Sequence, residues 1–129
     1  MKLEVGQFIR TNDGYINKIE KVNQFNVLVD GRDLFGEKLN IPNNEITKAS
    51  YNIIDILEEG DYVNGYYVSK IWEKDEITHY VDETSIKRKQ REIVIQAPSY
   101  GGIEILKNKD IKSIVTKEQF EQMSYKIGE

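Results

Sequence analysis

LEVGQFIRTNDGYINKI, residues 3–19, is the stretch that decides the fold, because a related stretch, LEEGDYVNGYYVSKI, returns at residues 57–71. Five identical or similar pairs lie 54 positions apart, namely Leu3, Glu4, Gly6, Phe8 and Ile9 against Leu57, Glu58, Gly60, Tyr62 and Val63. After a contraction of two residues the match resumes, with Tyr15, Ile16, Lys18 and Ile19 against Tyr67, Val68, Lys70 and Ile71. Each copy reads as a glycine, a short aromatic and β-branched strand, a turn with its own glycine, and a second strand. The repeat predicts two β-hairpins related by internal duplication.

Further β-forming segments flank the two copies. A third strand is predicted at residues 25–30, which makes a meander with the first hairpin. Residues 32–44 are interrupted by Gly36 and Pro42, and we expect a long loop there that either forms a functional surface or caps the first lobe. Residues 77–82 and 92–97 predict a further hairpin, and the charged residues between them are expected to form its tip or a short loop.

The C-terminal region carries the best-defined local signal. Thr116 is a good N-cap, and Gln119 three residues later completes a capping box, so we expect a short helix over residues 117–123. The sequence therefore predicts a mainly β protein of two small barrels or β-meanders with a short C-terminal helix. Because no Pro, Gly or Ser-rich linker separates them, lobe 1–50 and lobe 51–129, which includes the helix, are expected to pack as one unit.

Composition excludes several classes of protein. A net charge of −4 argues against a general nucleic-acid binder, which needs a surplus of Lys and Arg. The chain has no cysteine, which excludes disulfides, thiolate zinc sites and cysteine nucleophiles. No apolar run is long enough to span a membrane, and the first residues do not resemble a signal peptide. We expect a cytoplasmic protein with no membrane partner.

Catalytic and cofactor motifs are absent from the sequence. The only histidine is His79, and no metal-binding spacing accompanies it. No glycine-rich phosphate-binding loop occurs, and the acidic residues lie beside predicted strand ends, where solvated carboxylates are usual. We therefore expect a protein that is not an enzyme and that holds neither a cofactor nor a metal ion.

Two groups of residues are the predicted binding sites. The first is a basic segment with four cations in five residues: Lys87, Arg88, Lys89 and Arg91. At a hairpin tip it could grip phosphates of a nucleic acid or nucleotide, or an acidic protein face; a solvated loop that neutralises nearby acids explains it as well. The second is an aromatic group, for which base stacking, an interface anchor and core packing stay open: Tyr66, Tyr67 and Trp72.

The repeated pattern resembles small SH3-like barrels of the KOW and Tudor type. The joint at residues 52–55, the segment EGDYVNG at residues 59–65 and the ending DIKSIVTKEQF at residues 110–120 are similar to mostly uncharacterised phage and prophage proteins of low-GC Gram-positive bacteria. That resemblance implies SH3-like lobes and no catalytic residues.

The expected function follows from this resemblance together with the missing catalytic apparatus. We expect a non-enzymatic phage or prophage accessory protein that binds a host protein in the host cytoplasm, an anti-CRISPR-like inhibitor of a defence nuclease complex. The alternatives are a nucleic-acid or signalling-nucleotide binding module that uses the basic segment, and a structural or assembly component of a phage particle. The oligomeric state stays open.

Overall fold

The computed structural model describes residues 1–81, 84–97 and 102–123, and for residues 74–81, 84–90 and 97 it describes the backbone alone. The described chain is mainly β, with two five-stranded antiparallel sheets and one short α-helix. This confirms the predicted class and the predicted C-terminal helix. The chain divides into two compact units, residues 1–57 with the C-terminal segment from 116, and residues 58–115.

The first unit is built on a five-stranded sheet in the order β4-β3-β2-β1-β5. Its strands are β1 (Phe8–Thr11), β2 (Ile16–Val22), β3 (Asn26–Arg32), β4 (Lys38–Pro42) and β5 (Ile46–Ser50). Short 3₁₀ turns lie at Asn43–Glu45, before β5, and at Ile53–Ile56, after it. The strand β4 falls inside the segment predicted as a loop, because its pairing with β3 outweighs the Gly and Pro signals that surround it.

Branched aliphatic side chains form the core of the first unit. Alternate residues of β3 face inward, and they join residues from the other strands in a cluster of Ile9, Ile19, Val27, Val29 and Ile46. Burying each of these side chains contributes about 1.5–3 kcal/mol relative to leaving it exposed. The alternation fixes the strand register, since a shift by one residue would turn the inward set toward solvent.

A turn with four hydrogen bonds lies at the start of the first unit. Gly6 has a φ of +94°, a conformation that L side chains rarely adopt, so the chain needs glycine at this point. The Gly6 amide donates to the Ile19 carbonyl at 2.9 Å, and the Ile19 amide donates to the Gln7 carbonyl at 2.8 Å. The Gln7 amide donates to the Glu4 carbonyl, and the Gln7 side chain accepts from the Glu4 amide at 2.9 Å.

The same turn occurs in the second unit. Gly60 has a φ of +96°, and its amide donates to the Val68 carbonyl at 2.9 Å. The Val68 amide donates to the Asp61 carbonyl at 2.8 Å, and the Asp61 carboxylate accepts from the Glu58 amide at 2.8 Å. The first half of the sequence repeat thus encodes one hydrogen-bonded turn twice. The second half of the repeat differs between the sequence match and the structure. Ile19 closes the turn in the first unit, and Val68 closes it in the second unit. The sequence match instead pairs Ile19 with Ile71, three positions after Val68.

The C-terminal helix α1 (Lys117–Met123) belongs to the first unit. The Thr116 hydroxyl accepts from the Gln119 amide at 3.3 Å, and the Gln119 side chain accepts from the Thr116 amide at 3.1 Å, which confirms the capping box. The Thr116 hydroxyl also donates to the Gly14 carbonyl at 2.8 Å. Arg10 of β1 is buried and forms an ion pair with Glu118 of the helix at 2.7 Å. These contacts join α1 to the first unit.

The second unit contains the other five-stranded sheet, in the order β10-β6-β7-β8-β9. Its strands are β6 (Tyr62–Val63), β7 (Tyr66–Val81), β8 (Thr84–Ala97), β9 (Gly102–Leu106) and β10 (Ile114–Val115), with a 3₁₀ turn at Asn108–Asp110. The buried aliphatic residues of these strands are Val63, Val68, Ile93, Val94, Ile95 and Leu106.

Two sequence predictions need correction. Both sheets are open, with edge strands at each end of their order, so neither closes into the small barrel that was one of the two expected forms. The charged residues predicted as a hairpin tip or a short loop after residue 82 lie instead within β8 from Thr84 onward, and β7 and β8 are 16 and 14 residues long. Lys, Arg and Gln are weak strand formers, so the segment is extended because it pairs with β7 and not because of its composition.

Candidate functional site

The β7–β8 hairpin has two parts that differ in how many strands they pair with. Near its open end β7 pairs with β6 through Tyr66 and Tyr67, and β8 pairs with β9 through residues 93–97. From the Trp72–Glu92 pair to the Val81–Thr84 pair, β7 and β8 pair only with each other among the described residues. We call this two-stranded part, residues 72–81 and 84–92, the ribbon.

Trp72 lies at the base of the ribbon. Its indole N–H donates to the carboxylate of Glu92, the residue opposite it in the register, at 3.1 Å. Glu92 is 6% exposed, so this hydrogen bond serves a buried carboxylate. The Lys70 ammonium lies 5.6 Å from the centre of the Trp72 ring, within the range of a cation–π contact. Trp72 is thus held in one orientation at the point where the sheet becomes the ribbon.

The two predicted tyrosines differ in their exposure. Tyr67 is 42% exposed and makes an edge-to-face contact with Tyr62, its partner in the register, with ring centres 5.7 Å apart. Tyr66 is half-buried. Adjacent residues of a strand face opposite sides of the sheet, so these two tyrosines do not form one surface. Of the pair, Tyr67 is the one whose ring is available to a partner.

The basic segment lies in the strand β8 of the ribbon. The register places Arg91 opposite Glu73, Lys89 opposite Asp75 and Arg88 opposite Glu76, and it places Lys87 opposite Ile77. Opposite charges at directly paired positions of an antiparallel pair attract each other. Three of the four cations therefore have an acidic residue across the strand, a relation that the sequence spacing alone does not reveal. The side chains of Lys87, Arg88 and Lys89 lie outside the described part of the structure, as does that of His79.

A groove in the first unit was missed by the sequence analysis. It has a volume of about 320 Å³ and is lined by Thr11, Asp13, Tyr15, Asn17, Gly31, Arg32, Leu39, Ile41 and Glu45. These residues come from four strands and the turns that follow them, so no single stretch of sequence contains the groove. The available sequence signals were Tyr15 of the repeat and residues 32–44, for which a functional surface was one of the two expectations.

The Asn17 and Leu39 side chains of the groove lie close to Gly31. A Cβ atom at this position would lie 2.4 Å from the Asn17 side-chain oxygen and 3.3 Å from the Leu39 Cδ1. Real Cβ atoms do not approach other atoms as closely as the first of these distances, so any larger residue must displace the Asn17 side chain. The arrangement of these lining side chains therefore requires glycine at position 31.

The charged residues of the groove differ in their partners. The Arg32 guanidinium donates to the Gly36 carbonyl at 2.6 Å. Within the described part of the chain, the carboxylates of Asp13 and Glu45 accept no hydrogen bond and form no ion pair. Among the described residues, the groove thus holds one cation that donates to a backbone carbonyl and two carboxylates without a partner.

No group of three or more potential metal ligands occurs among the residues that the structure describes. In the same residues, no helix has the length and apolar character needed to cross a membrane. Comparisons with models of protein families, with curated proteins and with solved structures gave no significant match.

Proposed function

We propose that this chain is a non-enzymatic binding protein that contacts a partner protein through the ribbon of the β7–β8 hairpin. The observation that carries the proposal is the ribbon itself, two long strands that pair with no third strand among the described residues. An isolated two-stranded hairpin is marginally stable in water, and a third strand or a packed surface is what normally stabilises it. A partner protein would supply that surface.

The backbone of the ribbon offers one means of binding. Each strand of a two-stranded ribbon has a row of N–H and C=O groups on its outer edge, and an extended segment of a partner can add to such an edge. Main-chain hydrogen bonds would then give affinity, and the side chains at alternate positions would give specificity. Trp72 at the base is the residue type that anchors interfaces most often.

The charge pattern favours protein over nucleic acid. Three cations of the basic segment are paired in the strand register with acidic residues of β7, and the chain has a net charge of −4. A phosphate backbone is bound by a surplus of cations, and in the ribbon the acidic residues of β7 offset the positive charge of the basic segment. A protein face with charges of both signs is complementary to such a ribbon.

The biological role that we propose follows the family resemblance: an accessory protein of a phage or prophage that inhibits a host defence system, such as a CRISPR effector nuclease. The test is affinity capture of the tagged full chain from lysate of its host, with and without nuclease treatment, followed by mass spectrometry. Retention of one defence protein after nuclease treatment is the expected result. Recovery of nucleic acid alone, or of no protein, would contradict the proposal.

Paired variants then locate the contact. Lys87→Ala with Arg88→Ala removes two cations from the ribbon, whereas Lys21→Ala with Lys109→Ala removes two exposed cations elsewhere and is the matched control. We expect the ribbon variant to lose partner binding and the control variant to keep it. Equal binding by both variants would show that the ribbon cations do not contact the partner.

A second candidate function is the binding of nucleic acid or of a signalling nucleotide, which the density of four cations in five residues favours. For that function, the affinity for a single-stranded oligonucleotide would fall steeply as the salt concentration rises. For the protein-binding function, the oligonucleotide affinity stays weak at every salt concentration. A large homo-oligomer in solution would instead favour the assembly component of a phage particle.

We also propose that the two units arose by duplication of one SH3-like meander. The repeated turn supports this proposal, because Gly6 and Gly60 share the same positive φ and the same pattern of hydrogen bonds. Gly6 pairs with Ile19 and Gly60 pairs with Val68, so Gly60 and Val68 are the structural counterparts of Gly6 and Ile19. In an ancestral unit, one pair would have filled both roles.

A further inference from the structure

We propose that the groove of the first unit binds an alkyl chain that ends in a cation, either a guanidinium or an ammonium group. The proposal concerns residues of the first unit alone and does not depend on the function proposed for the ribbon. The groove has the size, the apolar wall and the charges that such a ligand requires, and each of the three is a separate observation.

The size of the groove suits a side chain or a small molecule. A volume of about 320 Å³ is at the lower end of the range for ligand pockets, about 300–1,000 Å³. Leu39 and Ile41 of β4 give it an apolar wall, and the Tyr15 ring, 51% exposed, lies at its side. A straight alkyl chain can pack against such residues while its charged end stays near polar groups.

The charges of the groove select a cation. Asp13 and Glu45 contribute two carboxylates without partners among the described residues, and Arg32, which donates to the neutral Gly36 carbonyl, contributes one positive charge, so the negative charges of the lining outnumber the positive ones. An opposite charge close to these carboxylates is attracted, and an anion such as a phosphate would be repelled by them. The Tyr15 ring adds a second element that attracts cations, since the face of an aromatic ring carries negative potential.

Gly31 leaves room for two side chains that line the groove. A Cβ atom at this position would meet the Asn17 side-chain oxygen at 2.4 Å and the Leu39 Cδ1 at 3.3 Å, so any other residue must displace these side chains. The position therefore supplies a steric test that leaves all charges unchanged.

The ligand chemistry has two sources, a basic side chain of another protein and a free amine. We would titrate the ¹⁵N-labelled full chain with three probes and follow the amide signals by NMR. The probes are N-acetyl-arginine-N-methylamide for the side chain, agmatine for the free amine, and N-acetyl-glutamate-N-methylamide as the anionic control. We expect saturable shifts at the groove residues with one or both cationic probes and none with the anionic probe.

Either cationic probe binding alone supports the proposal and identifies the source. The proposal is overturned if neither cationic probe shifts the groove signals at millimolar concentration, or if the anionic probe shifts them equally. The affinity should also fall as the salt concentration rises, because the attraction between partly exposed charges is screened.

Three variants and one matched control complete the test. Asp13→Asn and Glu45→Gln should each weaken binding by roughly two- to fivefold, the range for one exposed charge pair. Glu37→Gln makes the same change of charge at an exposed position outside the groove, and the affinity should not change. Equal weakening of binding by Asp13→Asn, Glu45→Gln and the control Glu37→Gln would overturn the proposal.

The steric variant is Gly31→Val, which should abolish binding. The amide spectrum shows in the same experiment whether this variant is folded. If it is folded and still binds with unchanged affinity, the groove is not the site. If it does not fold, the carboxylate variants decide the outcome by themselves.

Discussion

The ion pair between Arg10 and Glu118 should stabilise the first unit far more than an exposed ion pair does. The Arg10 side chain is 1% exposed and that of Glu118 is 28% exposed, and their charged groups are 2.7 Å apart. The Arg10 guanidinium also donates to the Ile56 carbonyl at 3.1 Å. Glu118→Gln keeps the shape of the side chain but removes a negative charge that lies 2.7 Å from a buried cation.

The magnitude follows from the burial of the pair. Removing one partner of a fully buried ion pair costs about 3–5 kcal/mol. Because water reaches Glu118 in part, we expect about 2 kcal/mol for Glu118→Gln, which lowers the midpoint of urea denaturation by roughly 1 M for a chain of this size. Far-UV circular dichroism would give the midpoint, and hydrogen exchange should place the lost protection in β1 and α1.

An exposed pair of the same unit is the matched control. Lys38 and Glu20 form an ion pair whose side chains are 38% and 37% exposed, and Glu20→Gln should cost less than about 1 kcal/mol. The double variant Arg10→Met with Glu118→Leu should recover much of the stability lost in Glu118→Gln, because apolar residues often replace a buried pair without loss. The reasoning is refuted if Glu118→Gln and Glu20→Gln destabilise the protein equally.

Three further predictions concern the turns and the cap. Thr116→Val removes the hydroxyl of the capping box, and it should lower the free energy of unfolding by about 1–2 kcal/mol in urea denaturation; no change would show that the cap contributes nothing. Gly60→Ala should destabilise the protein by about 1 kcal/mol or more, because alanine is strained at a φ of +96°, and a higher melting temperature would contradict this. The hydrogen bond to Glu4, with smaller contributions from desolvation and from the charge of Glu4, raises the pKa of the Tyr51 hydroxyl above its ordinary value of about 10. The contribution of this hydrogen bond to stability is therefore present below about pH 10 and is lost as the pH rises through the higher folded-state pKa. The stability difference between the wild type and Tyr51→Phe should shrink in that range. A difference that grows there would be inconsistent with the hydrogen bond.

Local signals in the sequence predicted local structure well. The capping box joins Thr116 and Gln119, which are three residues apart, so a short stretch of sequence contains both of its partners. The repeated glycines Gly6 and Gly60 were likewise visible, although the turn that their positive φ allows was not predicted. What the sequence could not give was the residue that closes the second turn, since the two hairpins differ in length.

Long-range pairing explains what the sequence missed. The attachment of α1 to the first unit depends on Arg10 and Glu118, which are 108 residues apart. The extended conformation of the basic segment depends on the register with β7, which no propensity indicates. The groove is assembled from turns and strands distributed over residues 11–45, so its carboxylates at Asp13 and Glu45 did not stand out among the other acidic residues.

The central claim is that the ribbon binds a partner protein, and hydrogen exchange of its backbone amides tests this most directly. We would compare exchange in residues 73–81 and 84–91 for the free chain and for the chain bound to its captured partner. A two-stranded ribbon exchanges quickly when free, so we expect strong protection of these amides in the complex. Unchanged exchange in the ribbon, with protection elsewhere in the chain, would contradict the account.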